Sequence, residues 1–131
     1  MVNKIGKETY TFKGIAPLIS QQTVETGNIV PEGVLSVFQV NGDIDDLVPI
    51  NGGIGVANTN FMSATASAEN WASNFSCSMN PDQESLQWGS KTVNAFTFSG
   101  CWQNNEVKYF IVQDAGPTLQ NNQDLNIFLQ S

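Results

Sequence analysis

Histidine and arginine are both missing from this chain, and five lysines supply all of its cationic side chains. Each absence removes chemistry. Without histidine there is no side chain whose ordinary pKa makes it a general base near neutral pH, no His-containing nucleophilic triad and no imidazole metal ligand. Without arginine there is no bidentate clamp for phosphate or guanine. Charged residues make up only 13% of the chain, about half the share in an average soluble domain. Cysteine is scarce too. Two thiols with no histidine make a poor zinc site, and a catalytic thiolate would lack its usual partner. No apolar run approaches the roughly 20 residues needed to span a bilayer. The opening "MVNKIGKETYTFKG" carries lysines but no apolar core of a signal peptide.

Amides and hydroxyls take the place of the missing charge: Asn, Gln, Ser and Thr account for 45 of 131 residues. The net charge of −7 opposes binding to a nucleic-acid backbone and simple electrostatic attachment to anionic lipid. With 40% hydrophobic residues, the length suits one domain that buries its own core. A neutral, lysine-poor surface is commoner outside cells, yet no leader is readable. A virion protein, made in the cytoplasm and released by lysis, satisfies both facts.

Turn signals punctuate the chain at short intervals, among them Pro31-Glu32-Gly33, Asn41-Gly42, Asn51-Gly52-Gly53, Asn80-Pro81-Asp82, Ser99-Gly100 and Asn104-Asn105. Segments rich in Val, Ile, Phe and Thr lie between them. We therefore expect an all-β single domain over residues 1–131, an antiparallel β-sandwich or barrel of short strands. "ETYTFK" (8–13) and "DLNIFLQ" (124–130) alternate as strands do. "VLSVFQV" (34–40), apolar on both faces, reads as a central strand running into an Asn41-Gly42 hairpin turn. "DIDDLVPI" reads as an edge strand or irregular segment, because Pro49 cannot donate to a ladder. Residues 57–70, small and polar, read as one long loop with room for a helical turn near Ser67 to Trp71. "WASNFSCSM" (71–79) reads as a strand with Trp71, Phe75, Cys77 and Met79 on one face. Residues 93–103 and 106–113 read as a hairpin turning at Asn104-Asn105. In that register Phe98 faces Ile111, and Phe96, Phe98, Trp102, Val107, Tyr109 and Ile111 form a core face. The opposite face, with Thr97, Ser99, Cys101, Gln103, Lys108 and Phe110, is expected to be mostly polar.

Few residues offer themselves as a site. No catalytic set, cofactor site or metal site can be assembled. Asp43, Asp45 and Asp46 are the tightest acidic cluster, but they lack EF-hand spacing and read as a solvated loop rather than a Ca²⁺ site. "NGGIGV" (51–56) lacks the phosphate-loop pattern and reads as a turn. A Cys77–Cys101 disulfide is undecided; the strand faces assigned to the two residues, and synthesis in a reducing cytoplasm, weigh against it. Trp71 and Trp102 fall on expected core faces. Trp88, between a polar loop and a strand, is the candidate contact residue, with Lys91 beside it. Such a tryptophan stacks on a sugar or sits at a lipid interface, or simply covers one end of the core.

"WGSKT" (88–92), followed by Asn94, resembles a segment of the aegerolysins, small acidic β-sandwich proteins without signal peptides that bind membrane lipids and assist pore formation. "GNIVPEGVLSVF" (27–38) is similar to an earlier strand of that family. The chain departs from the family's pattern in having Leu86-Gln87 where a Cys-Pro precedes the tryptophan, and in lacking a Cys-Gly-Arg segment. The resemblance implies membrane-lipid binding, and an exposed tryptophan equally fits a carbohydrate-binding module. The expectation drawn from the residues themselves is a non-enzymatic structural or assembly protein. It would be a phage or virus virion component, forming homo-oligomers or contacting other virion proteins, located in the virion or outside the cell.

Overall fold

A computed structural model of the chain describes residues 2–8, 14–16 and 21–116. The expected strands at 8–13 and 124–130 lie outside these residues, except for Glu8, which closes a short helix, α1 (Val2–Glu8). The described structure is predominantly β. A five-stranded mixed sheet contains β1 (Gly14–Ile15), β2 (Ser36–Gly42), β5 (Asp82–Trp88), β6 (Lys91–Phe98) and β7 (Val107–Val112), in the order β1-β2-β7-β6-β5. A second, two-stranded sheet pairs β3 (Gly53–Ile54) with β4 (Asn60–Phe61). The helices α2 (Val24–Gly27) and α3 (Ala64–Asn74) complete the set. No closed barrel is present among the described residues. The large sheet is covered on one face by α3 rather than by a second sheet of equal size.

The sheet is mixed, which corrects the antiparallel expectation. β2 runs parallel to both β1 and β7, while β5, β6 and β7 form an antiparallel meander. Parallel neighbours cannot be joined by a tight turn. Asn41-Gly42 is accordingly no hairpin: both residues stay in the ladder, opposite Ile111 and Val112. Gly42 is required there because a Cβ would collide with the Ala115 carbonyl. Residues 43–50 then run through irregular turns, as expected around Pro49.

The largest correction falls on residues 57–79. In place of a polar loop followed by a strand, residues 64–74 form α3. Ser63 caps it, its Oγ accepting from Ala66 N at 3.0 Å. Ala64, Ala68, Trp71, Ala72 and Phe75 are all buried, a spacing that places them on one helical face. The alternation of Trp71, Phe75, Cys77 and Met79 imitated a strand because Trp71 and Phe75 are also one helical turn apart. Their rings lie 5.6 Å apart. Alanine, which hydropathy places close to neutral, is the best helix former and permits close approach to the sheet.

The β6–β7 hairpin is real, but its turn is elsewhere. Phe98 pairs with Val107 and Phe96 with Tyr109, so the register differs by four positions from the Phe98–Ile111 pairing. An even shift preserves the faces, and Phe96, Phe98, Val107, Tyr109 and Ile111 do share the side facing α3. Residues 99–106 form a wider loop with positive φ at Gly100, Gln103 and Asn104. It is drawn toward the end of α3 by Trp102 N donating to Phe75 O, Ser78 N donating to Ser99 O, and the disulfide Cys77–Cys101. The opposite sheet face is not mainly polar. Val40, Val93, Val112, Trp88 and Ala115 form a second buried cluster there, with Leu86 and Phe110 packed against it.

Candidate functional site

Trp88 and Lys91 flank the tight turn at Gly89-Ser90 that joins β5 to β6, and they pair across it. Gly89 has φ 61°, the conformation that a two-residue turn opening on glycine requires. This backbone demand is sufficient reason for the "WGSK" string. Trp88 is only 4% exposed and its ring lies 5.3 Å from that of Phe110. It covers core rather than presenting a surface. Lys91 Nζ donates to Asp114 O at 2.8 Å, tying the turn to the segment after β7.

Of the other two tryptophans, Trp71 lies in the core as expected and Trp102 does not. Trp71 is fully buried, but on a helix, and its Nε1 donates to Asn3 Oδ1 at 3.0 Å. Trp102, assigned to the core by the shifted register, is 56% exposed in the 3-10 turn Trp102–Asn104. Cys77 and Cys101 are bridged, because neither occupies the strand position from which opposite faces were inferred.

The acidic cluster divides. Asp46 is exposed, whereas Asp45 is buried, its Oδ1 accepting from Leu47 N and Val48 N at 2.9 and 2.8 Å. Asn41 Oδ1, Asp43 Oδ1 and Asp45 Oδ2 are buried and have no hydrogen-bond partner among the described residues. Among the described residues no group of three or more Cys, Asp or Glu side chains is arranged to hold a metal ion.

The most elaborate polar chemistry lies where sequence reasoning did not look, between α3 and residues 21–28. Besides its apolar stripe, α3 carries Ser67, Asn70 and Asn74 on a second face. Gln22 Nε2 donates to Ser67 O and Asn70 Oδ1, Gln22 N donates to Ser67 Oγ, and Ser67 Oγ donates to Gln39 Oε1 on β2. Gln39 Nε2 in turn donates to Ala64 O. Lys7 is fully buried at the end of this network. Its Nζ donates to Thr26 O at 3.0 Å, Gly27 O at 3.5 Å and Asn70 Oδ1 at 2.6 Å, and stands 5.1 Å from the Trp71 ring. Among the described residues no carboxylate pairs with it. Burial therefore pulls its pKa from 10.5 down to about 8.

A cleft of about 340 Å³ opens beside this layer. Asn3 and Lys4 come from α1, and Gln21, Gln22, Thr23 and Thr26 from the segment leading into α2. Thr59 and Phe61 border the small sheet, while Val48 and Val56 supply apolar surface. Apart from Lys4, the described lining residues are uncharged. Amides offer donors and acceptors together, and hydroxyls act as either. Gln22 Oε1 is buried in this wall with no partner among the described residues, and an orphan acceptor of this kind costs about 1–3 kcal/mol. The single legible signal was the run Gln21-Gln22-Thr23. Nothing in its spacing says that it meets α1 and α3.

No protein-family model, no curated protein and no solved structure matches this chain. Residues 88–92, which carry the resemblance to the aegerolysins, span the β5–β6 turn described above. No helix among the described residues is long and apolar enough to cross a membrane.

Proposed function

We propose that the chain is a non-enzymatic recognition module for an uncharged, hydroxyl-rich ligand, a saccharide, bound in the cleft between α1, residues 21–26 and the β3–β4 sheet. The observation that carries this reading is the cleft's lining: amides and threonine hydroxyls beside Val48, Val56 and Phe61, with Lys4 the one ionisable side chain among the described wall residues. A sugar presents hydroxyls that both donate and accept, and C–H surfaces that pack on apolar side chains. Sites of this size usually combine an apolar wall with a few placed polar groups. Among the described residues there, a charged ligand would meet neither a cluster of lysines nor a set of carboxylates.

A glycan array followed by titration calorimetry tests the reading, with wild type, Thr59→Val and Trp102→Ala. Thr59→Val removes one cleft hydroxyl at nearly constant volume and should weaken binding several-fold, while Trp102→Ala should leave it unchanged. Loss of binding in Trp102→Ala would move the site to the exposed tryptophan. Pelleting with phospholipid vesicles, combined with silence on the array, would replace the saccharide reading with the lipid one.

A second reading, an assembly module of virion type, is favoured by the apolar residues exposed between β2 and β4. Ile44 and Ile54 are 62% exposed, and Leu47 and Val56 are 47% exposed. Association would bury them between copies of the chain. A strict monomer by sedimentation at high concentration would remove this reading.

A further inference from the structure

The cleft does not end at its outer wall. Thr23 and Thr59 line it, and both also line a second depression of about 630 Å³ on the outer side. Glu25 and Asn28, within and just after α2, form one bank of this depression, and Asn58, shortly before β4, and Asn60, its first residue, form the other. The two banks are held at a fixed separation by a backbone bridge between Thr23 and Phe61. Ala57 and Asn58 turn the outer bank with consecutive left-handed conformations, φ 56° and 55°. The two depressions are therefore successive compartments of one groove, with a pair of threonines at the saddle.

Resting on the saccharide reading above, we propose that the groove holds a chain of at least two sugar units. The inner unit lies in the cleft, the glycosidic link crosses Thr23 and Thr59, and the next unit lies between Glu25, Asn28, Asn58 and Asn60. The compartments differ in chemistry. The inner one is lined by amides and hydroxyls. The outer one adds a carboxylate, Glu25, which accepts hydrogen bonds from two neighbouring hydroxyls more strongly than an amide does. A covalently linked second unit enters its compartment at high effective concentration once the first is bound, so affinity grows with chain length.

Calorimetric titration with glucose, mannose, galactose and N-acetylglucosamine, each as a series of one to six linked units, tests this. For whichever series binds, affinity should rise at least tenfold between one and three units and then level off. Asn28→Ala/Asn58→Gly should abolish that rise while leaving monosaccharide affinity unchanged. Glycine suits the positive φ of position 58, so this double variant should fold, which its thermal melt verifies. Glu25→Gln, which keeps the shape of the outer wall, should reduce the rise and serves as the second variant. A monosaccharide that binds as tightly as its oligomers would overturn the two-compartment site and leave the inner cleft as the whole site. So would a length dependence that survives in the double variant. If no saccharide of any length binds, the saccharide reading falls and this inference with it.

Discussion

Lys7 makes the stability of this protein rise with pH in a range where most proteins gain nothing. Its ammonium is wholly buried and held by two backbone carbonyls and an amide oxygen. Burial lowers its pKa from 10.5 in the unfolded chain to about 8 in the fold. Below pH 8 both states are protonated, and the fold bears the full penalty of the buried charge. Between pH 8 and 10.5 the folded state has released its proton while the unfolded state retains it. The unfolded state then binds more protons, and stability increases with pH. A shift of this size corresponds to about 3 kcal/mol in total, at 1.36 kcal/mol per unit. By the same linkage, about 2 kcal/mol of it should be regained between pH 7 and 9.5. Urea unfolding over that range, with wild type and Lys7→Met, measures it. The upper limit avoids Tyr109, whose pKa burial raises and whose contribution therefore falls away as pH climbs above 10. Lys7→Met shifts absolute stability, because Thr26 O, Gly27 O and Asn70 Oδ1 lose a donor, but it cannot titrate. The difference between the two curves isolates the lysine. Parallel curves, or a wild type that loses stability relative to the variant as pH rises, would refute the reasoning.

Three further perturbations follow from the structure. Reducing the Cys77–Cys101 bridge, which spans 24 residues, should lower stability by about 3.5 kcal/mol in the chain-entropy treatment. Denaturant midpoints with and without dithiothreitol, checked against the Cys77→Ser/Cys101→Ser variant, measure this. Trp71→Ala, at a fully buried site, should cost about 3–5 kcal/mol. Trp102→Ala, on the surface, should change stability by less than about 0.5 kcal/mol and remove the iodide-quenchable part of the fluorescence. A cost at Trp102 as large as that at Trp71 would restore the hairpin register expected from sequence. Ser63→Ala removes the cap of α3 and should cost about 1 kcal/mol, whereas Ser73→Ala in the same helix should cost little; equal effects would contradict the cap.

Three strands of the large sheet were legible, two from a side-chain period of two and β2 from a run apolar on both faces, whereas β5 (Asp82–Trp88) reads in sequence as a polar loop and β1 is not placed. Residues 34–40, 93–98 and 107–112 were placed, and the face shared by Phe96, Phe98, Val107, Tyr109 and Ile111 survived a wrong register because the error was even. The site residues were less legible. Trp88 was singled out for its polar neighbours. Whether a tryptophan covers core or meets solvent depends on what packs on it, here Phe110 from β7, a strand that pairs with β6 and not with β5.

Composition and periodicity by themselves determined the predominantly β character, the amide-rich polar chemistry and the exclusion of histidine- and arginine-based mechanisms, since these depend only on which residues occur and on local alternation. Tertiary structure decided the rest. Trp71 and Phe75 satisfy a strand's alternation as well as a helix's turn. Helix prevailed because Ala68 and Ala72 complete with Trp71 and Phe75 a stripe that shares one core with Val107 and Tyr109. Residues 99–106 open into a loop because Cys101 bonds to Cys77 and Trp102 N finds Phe75 O, partners far away in sequence. The cleft exists only because three segments meet, α1, residues 21–26 and the β3–β4 sheet, and no local pattern records that meeting.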